Sequence, residues 1–444
     1  MNRENWNLLS INECADVIGG GTPSTKNSDY WDGNIPWISP KDLSNNKDKY
    51  ITNGERFITE LGLEKSSAKL LPANSLLFSS RAPIGYLAIN AKPVATNQGF
   101  KSLILKDEFD VEFFYYLFKQ KTEFIKSFAS GSTFQEVSGS VVKNLSFLIP
   151  PKQEQEKISN ILSKLDKKIE LNQKMNKILE EIAKTLFKSW FIDFDPVRAK
   201  AEGRPTGLSP EISDLFPDEL VESEIGEIPK GWKSNRIEEI CEKIAMGPFG
   251  SNIKVSTFVD DGVPIISGHH LHNLLLKEGN HKFITEEHAE RLKNSVVRSG
   301  DVVFTHAGTV GQVSLIPKNC DYSKYVISQR QFYARTVRPE YGAFLNFFFH
   351  TAIGQHKLLS NVSGSGVPSI ARPSSHLKAI ELIIPDEILV SIFDQKVAPI
   401  IDRMVLVSKE NETLSELRDT LLPKLISGEL TIPDAENLVE EAGI

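Results

Sequence analysis

Gly268-His269-His270-Leu271-His272 gathers three imidazoles within five residues. On a strand, His270 and His272 would share one face, an arrangement in which two neutral imidazoles can hold a transition metal. No third ligand stands at useful spacing, and Cys14, Cys241 and Cys320 are scattered through the chain. The expectation is no metal, with the histidines on a groove or a surface. Catalytic motifs fail in similar ways. Ile149-Pro150-Pro151-Lys152 has the prolines of an adenine methyltransferase motif, without its polar first residue or its aromatic. No G-x-x-x-x-G-K-[ST] phosphate loop occurs, so no nucleotide motor is expected. The carboxylates of "PDELVE" (217–222) lie in an acidic stretch with no lysine following, which reads as a solvated charge run. The chain is expected to catalyse nothing by itself.

What remains are hydrogen-bonding and cationic side chains in loops, and the question is what positions them. A length of 444 residues implies two or three domains. No apolar run approaches the ~20 residues that span a bilayer. The opening residues lack the apolar core of a signal peptide. Three unpaired-looking cysteines favour reduced thiols and a cytoplasmic location. The net charge of −7 is localised. Residues 1–150 carry 16 basic and 16 acidic groups, 151–190 are net +3, and 191–230 are net −6. The remainder is net −4, matched by Asp434, Glu436, Glu440 and Glu441 in the tail. The two large blocks are neutral, which leaves room for a local basic face.

The chain begins twice. Trp6 and Ile11 are echoed by Trp232 and Ile237 at a stride of 226. The same stride carries "NSLLFSSRAPIGYLAI" (74–89) onto "GDVVFTHAGTVGQVSL" (300–315). It widens to 232 at "ATNQGF" and "ISQRQF", to 233 at Ser130-Gly131-Ser132 and Ser363-Gly364-Ser365, and to 235 at "FLIPP" and "LIIPD". A drift in one direction fits loop insertions between two copies of one domain. Within each copy, runs such as 75–78, 85–89 and 101–105 predict strands bounded by Gly, Pro and Asn. Residues 111–130 and 343–359 have helical spacing. Each copy is expected to be a mixed α/β globule.

After each copy comes a heptad seam. The first runs through Ile158, Leu162, Leu165, Ile169, Asn172, Asn176, Leu179, Ala183, Leu186 and Trp190. The second runs through Phe393, Val397, Ile400, Met404, Val407, Asn411, Leu414, Arg418 and Leu421. Pro151 can open the first helix, and Pro399 should start or kink the second. Asn172, Asn176 and Asn411 either set register by finding polar partners or face water. A helix of about 38 residues spans about 57 Å, and two of them would pack antiparallel with a globule at each end. Leu186, Phe187, Trp190 and Phe191 crowd one helix end, and Leu421, Leu422, Leu425 and Ile426 the other. The division that follows is 1–150 and 231–386 for the globules, 151–192 and 387–430 for the long helices. Residues 193–230 form an acidic Pro/Gly linker and 431–444 an acidic tail.

These residues resemble the specificity subunit of type I restriction–modification systems. The resemblance is carried by residues 19–43 and 247–271, which look like the openings of that family's two target-recognition domains. It is also carried by 165–197, like its central helical region, by 223–232, like its join, and by 417–430, like its distal region. The fold implied is α+β: two pseudo-repeated target-recognition domains joined by two long antiparallel coiled-coil helices. The implied role is to read a bipartite, asymmetric site in double-stranded DNA. The subunit would direct two modification subunits, which methylate adenine, and restriction subunits. It would hold no cofactor itself, with S-adenosylmethionine and ATP bound by those partners. A scaffold or DNA-binding protein acting without methyltransferase partners is the alternative.

Base edges are read by Arg, Lys, Asn, Gln, Ser, Thr and His, and phosphates by basic groups and Gly-rich turns. By residue type and loop placement the first copy offers Thr22, Ser24, Thr25, Lys26, Ser80, Arg81, Asn97, Gln98 and Lys101. The second offers Ser251, Asn252, Lys254, His269, His270, His306, Thr309, Gln329 and Arg330. Gly19–Gly21 can equally be a strand turn, and Asn97-Gln98 an internal loop cap. No acidic neighbour of Arg81 is visible in sequence.

Overall fold

The computed structural model describes residues 5–46, 48–131, 135–223, 226–250, 252–363 and 366–443. It divides into two compact units. Unit 1 comprises Met1–Asn172 and Glu410–Ile444, and unit 2 comprises Gln173–Lys409.

Unit 1 carries strands β1 (Asn7–Ser10), β2 (Ala15–Gly19), β3 (Trp31–Ile38), β4 (Tyr50–Ile51), β5 (Arg56–Ile58), β6 (Leu70–Leu71), β7 (Leu76–Ser80), β8 (Ile84–Asn90), β9 (Val94–Thr96), β10 (Lys101–Leu105) and β11 (Ser146–Ile149). Unit 2 begins with a hairpin of β12 (Leu220–Ser223) and β13 (Gly226–Pro229). It continues with β14 (Lys233–Arg236), β15 (Cys241–Met246), β16 (Val263–Ile266), β17 (Lys282–Ile284), β18 (Val296–Val297), β19 (Val302–Thr305), β20 (Val313–Leu315), β21 (Tyr325–Ile327), β22 (Gln331–Thr336), β23 (Val362–Ser363), β24 (Ser369–Ile370) and β25 (Glu381–Ile384).

The two strand orders correspond except at one edge, where β4 of unit 1 has no counterpart strand in unit 2. In unit 1 one sheet runs β2-β10-β7-β8-β4 and another β5-β3-β9-β6; in unit 2 they run β15-β22-β19-β20 and β17-β16-β21-β18. Each copy also ties its opening strand to its closing one, β1 to β11 and, after the β12–β13 hairpin, β14 to β25. The repeated Trp and Ile have the same job in both: Trp6 and Ile11, like Trp232 and Ile237, are buried in their unit's main core.

The helical seams complete those cores. One helix covers Lys152–Phe191 and the other Glu387–Ile426. In unit 1, Ile158, Leu162, Leu165 and Ile169 pack with Leu414, Leu421 and Leu425 against Phe113, Phe118 and Phe147. In unit 2, Ala183, Phe187 and Trp190, with Leu179 and Leu186 partly buried, pack with Phe393, Val397, Ile400 and Met404 against Phe344 and Phe348. Val407 is buried as well. The aromatic and leucine groups crowding the helix ends therefore dock on the units to which they belong. The antiparallel sense is fixed by cross-pairs: Asp166 with Arg418 at 3.0 Å and Lys168 with Glu410 at 3.1 Å in unit 1. In unit 2, Phe187 lies 5.5 Å from Phe393 between ring centroids.

Two asparagines find polar partners, as register-setting requires. Buried Asn172 donates Nδ2 to Glu410 Oε2 at 2.9 Å within unit 1. Asn176 donates to the Met404 carbonyl at 3.2 Å and to Ser408 Oγ at 3.0 Å within unit 2. Asn411 is half-buried on its own helix.

One sequence expectation narrows and three change. The second helix starts at Glu387, as the expected bound has it, so of the two roles open to Pro399 starting the helix is excluded; the proline sits on an exposed face, where water can take the carbonyl it leaves unbonded. Residues 343–359 form two helices, Glu340–Phe349 and Ala352–Leu359, because Thr351 caps the second by accepting from Gly354 N. The acidic linker is folded: Asp195–Ala201 is helical, and Phe194, Val197 and Phe216 are buried in the unit 2 core. The acidic tail forms a helix, Ile432–Glu441, which buries Ala435 and Val439 in unit 1. In both segments charge faces water, and a few apolar residues anchor the chain.

Candidate nucleic-acid interface

Three loops meet in each unit because glycine lets their backbones touch. In unit 1 the turn after β2 lies on the turn before β10: a Cβ on Gly20 would sit 1.9 Å from the Asn97 carbonyl oxygen. In unit 2 a Cβ on Gly247 would sit 2.0 Å from that of Ser328. Neither position can carry a side chain. The third loop follows β7 or β19 and is pinned by an extended segment reached later in the chain. Val137 N donates to the Ser80 carbonyl at 3.0 Å, and Ile370 N to the His306 carbonyl at 2.8 Å. Isolated bridges join Arg81 to Glu136 and Ala307 to Ser369 in the same way. The Gly-rich stretches are thus both a strand turn and the floor of a loop cluster.

The candidates of unit 1 fall on this cluster with unequal freedom. Thr22, Ser24, Thr25, Lys26 and Gln98 are exposed, and Thr22 Oγ1 donates to Gln98 Oε1. Asn97 is the internal cap, accepting from Gly99 N at 2.8 Å. Ser80 is removed from the reading set: it is fully buried and donates to the Gly99 carbonyl at 3.1 Å. Arg81 acquires the acidic neighbour invisible in sequence. Its Nη1 lies 3.5 Å from Glu136 Oε2, and Lys101 Nζ sits 2.9 Å from Glu136 Oε1. Lys101 is largely buried in that bond, whereas the Arg81 side chain is one-third exposed and loosely held.

In unit 2, Ser251 lies outside the described residues. Asn252, Lys254, His269, Thr309, Gln329 and Arg330 are exposed. The Asn252 backbone is engaged: its carbonyl accepts from His288 Nε2 at 2.8 Å. His306 is half-buried, with Nε2 on the Gln329 carbonyl at 3.1 Å, and burial holds its pKa below the usual imidazole range.

His270 is corrected from reader to core. It is 1% exposed, accepts from Ser267 N at Nδ1 (3.0 Å) and meets the Gly279 carbonyl with Nε2 (3.1 Å). His281 stacks on it at 4.1 Å and faces Glu278 at 2.9 Å. Burial, then the neighbouring His281 and His269, push the His270 pKa down to about 3. The folded state therefore binds its proton only far below the ordinary value near 6.5, and the stability it contributes above that value drains away as pH falls toward 3. Between pH 7 and pH 5 unit 2 should lose up to about 2 kcal/mol. Chemical denaturation of the wild-type chain and of His270→Gln at both pH values checks this; equal pH dependence in the two would refute it. His272 is exposed and meets Gln312 Nε2 at 2.8 Å. Among the described residues no group of three or more His, Cys, Asp or Glu is placed to hold a metal.

Sequence reasoning missed two participants. Glu136 carried no local signal, since its partners lie far off in sequence. Phe249 did carry one: a large aromatic inside the Gly-rich stretch "GPFGS" has little reason to sit in a turn. It is 86% exposed.

The profile of the type I restriction modification DNA specificity domain matches residues 3–181 and again 229–417. The chain belongs to that family. The specificity-family chain is 33% identical over 436 residues, 97% of its length, to the MjaIX type I restriction enzyme specificity subunit of Methanocaldococcus jannaschii, of which 95% is covered. It is 27% identical to the HindI specificity subunit of Haemophilus influenzae, covering 89% of this chain and 94% of the relative. A crystal structure of a type I restriction–modification S subunit from M. genitalium matches with a TM-score of 0.59 at 16% identity, over 96% of this chain and 97% of that one, and so shares the fold. No helix among the described residues is long and apolar enough to cross a membrane.

Proposed function

We propose that this chain reads a bipartite, asymmetric site in double-stranded DNA, one half with the loop cluster of each unit. The observation that carries the reading is the contrast between constant backbone and changed side chains. On corresponding strand orders, Arg81 is replaced by Ala307 at the β7–β8 and β19–β20 turns, and Gln98 by Arg330 in the loops before β10 and β22. One scaffold with two sets of loop side chains suits two half-sites of different sequence. The chain itself catalyses nothing in this reading. It works in the cytoplasm with two modification subunits that methylate adenine, and with restriction subunits. S-adenosylmethionine and ATP are bound by those partners. The exposed Leu171, Ile178, Ile182 and Leu406 on the long helices suit contacts with such subunits.

Mapping methylated adenines in the source genome supplies the cognate duplex. A footprint of two separated, unlike patches is expected; a continuous or palindromic one overturns the proposal. Arg330→Ala should weaken cognate binding about 5- to 100-fold, as loss of a good base contact does, and leave thermal unfolding unchanged. Unaltered affinity would remove Arg330 from the interface.

A further inference from the structure

Phe249 and Val255 are the most exposed large apolar side chains among the described residues, at 86% and 84%. Phe249 is presented by an anchored turn. Gly247 N donates to the Gln331 carbonyl at 2.8 Å, Asn252 N to the Phe249 carbonyl at 2.9 Å, and the Asn252 carbonyl accepts from His288. With Pro248, Ile253, Ser328, Gln329 and Arg330 the phenyl ring edges a shallow recess of about 180 Å³. The recess lining has no acidic side chain, and its one cation is Arg330. Arg330, and Lys254 a few residues beyond Phe249 along the same loop, are exposed, and neither has an ion-pair partner among the described residues. Counting from the glycine that touches the neighbouring loop, Gly20 or Gly247, the matching position of unit 1 is Thr22, closed by its bond to Gln98.

We infer that Phe249 is a base-stacking site of unit 2, at which its ring packs on or between nucleobases beside the base edge that Arg330 reads, while Lys254 holds the flanking backbone. The inference deepens the DNA-reading proposal and rests on it. An aromatic beside free cations fits nucleic acid, because every base offers a flat π-face and an acceptor edge and every phosphate a charge. An apolar protein surface would leave both cations unmatched. Insertion between base steps also unstacks them, so the reader would favour easily opened steps. Unit 1, with its polar Thr22–Gln98 pair, has no such wedge at this position, and only one half-site should respond.

The test uses the full chain assembled with its modification subunit and a cognate duplex carrying 2-aminopurine at successive positions. Wild type should raise the fluorescence at one or two adjacent positions of a single half-site. Phe249→Ala should abolish that rise and weaken binding about ten-fold or more, Phe249→Trp should keep both, and melting should be unchanged because the ring is exposed. Normal affinity and fluorescence in Phe249→Ala, with binding lost in Arg330→Ala, would overturn the stacking site and leave the DNA reading intact. Loss of modification-subunit capture with normal DNA binding would overturn it in favour of a protein contact. Failure of the wild-type assembly to prefer the methylated sequence would remove both.

Discussion

Replacing Trp190 by alanine should cost unit 2 about 3–5 kcal/mol, the range for deleting a large buried aromatic. The side chain is 1% exposed and meets Phe216 at 5.3 Å, Phe191 at 5.9 Å and Phe393 at 6.3 Å between ring centroids. Its neighbours come from the long helices and from the folded connector, so no single element can relax into the void. Ordinary domains have about 5–15 kcal/mol in total, and the variant should unfold near physiological temperature. Urea denaturation followed by near-ultraviolet circular dichroism would measure it. A loss below about 1 kcal/mol would mean that the site collapses freely and that the aromatic cluster is not the brace described.

Arg335→Ala should be comparably damaging, through charge. Asp301 is 1% exposed, and its carboxylate accepts from Arg335 Nε at 2.8 Å, Arg335 Nη2 at 2.6 Å and Arg298 N at 2.8 Å. Burial pushes the Asp301 carboxyl above the usual range while Arg335 pulls it down, and the same bond pushes Arg335 up. Both pKa values are raised, by different causes: burial dominates for the carboxylate, which is the more deeply buried partner, and the bond to Asp301 dominates for the guanidinium. Removing the arginine leaves an uncompensated buried charge, a loss of about 3–5 kcal/mol. Protonation then relieves the variant: with the folded carboxyl raised further, its stability falls as pH rises through that pKa and recovers as pH drops. The gap to wild type should be widest at neutral pH and narrow in acid. A gap independent of pH would assign the loss to packing.

The repeat and both helices were legible because each is periodic. Trp6 and Ile11 reappear as Trp232 and Ile237, each pair in its own unit's main core, and the seam from Ile158 to Trp190 is buried or half-buried along its length. Residue type alone could not sort the loop side chains. Ser80 and His270 look like readers until the fold surrounds them, and Arg81 looks free until a distant segment brings Glu136 to it. The folding of the connector is not legible because charge and proline dominate its composition, while Phe194, Val197 and Phe216, with the partly buried Leu208, Ile212, Leu215 and Leu220, decide where it goes. Asn97 fits a reader and a loop cap equally by residue type, and the hydrogen bond from Gly99 N selects the cap.

Unit 1 is assembled from two stretches of chain, with all of unit 2 encoded between them. Ribosomes deliver the strip of Ile158, Leu162 and Leu165 on the order of tens of seconds before its mates Leu414, Leu421 and Leu425 emerge, at about 5–20 residues per second. During that interval the nascent first globule must carry a bare greasy ridge. The later-made segment acts as a latch, and deleting it should leave a sticky product even though every residue proposed to touch DNA is present.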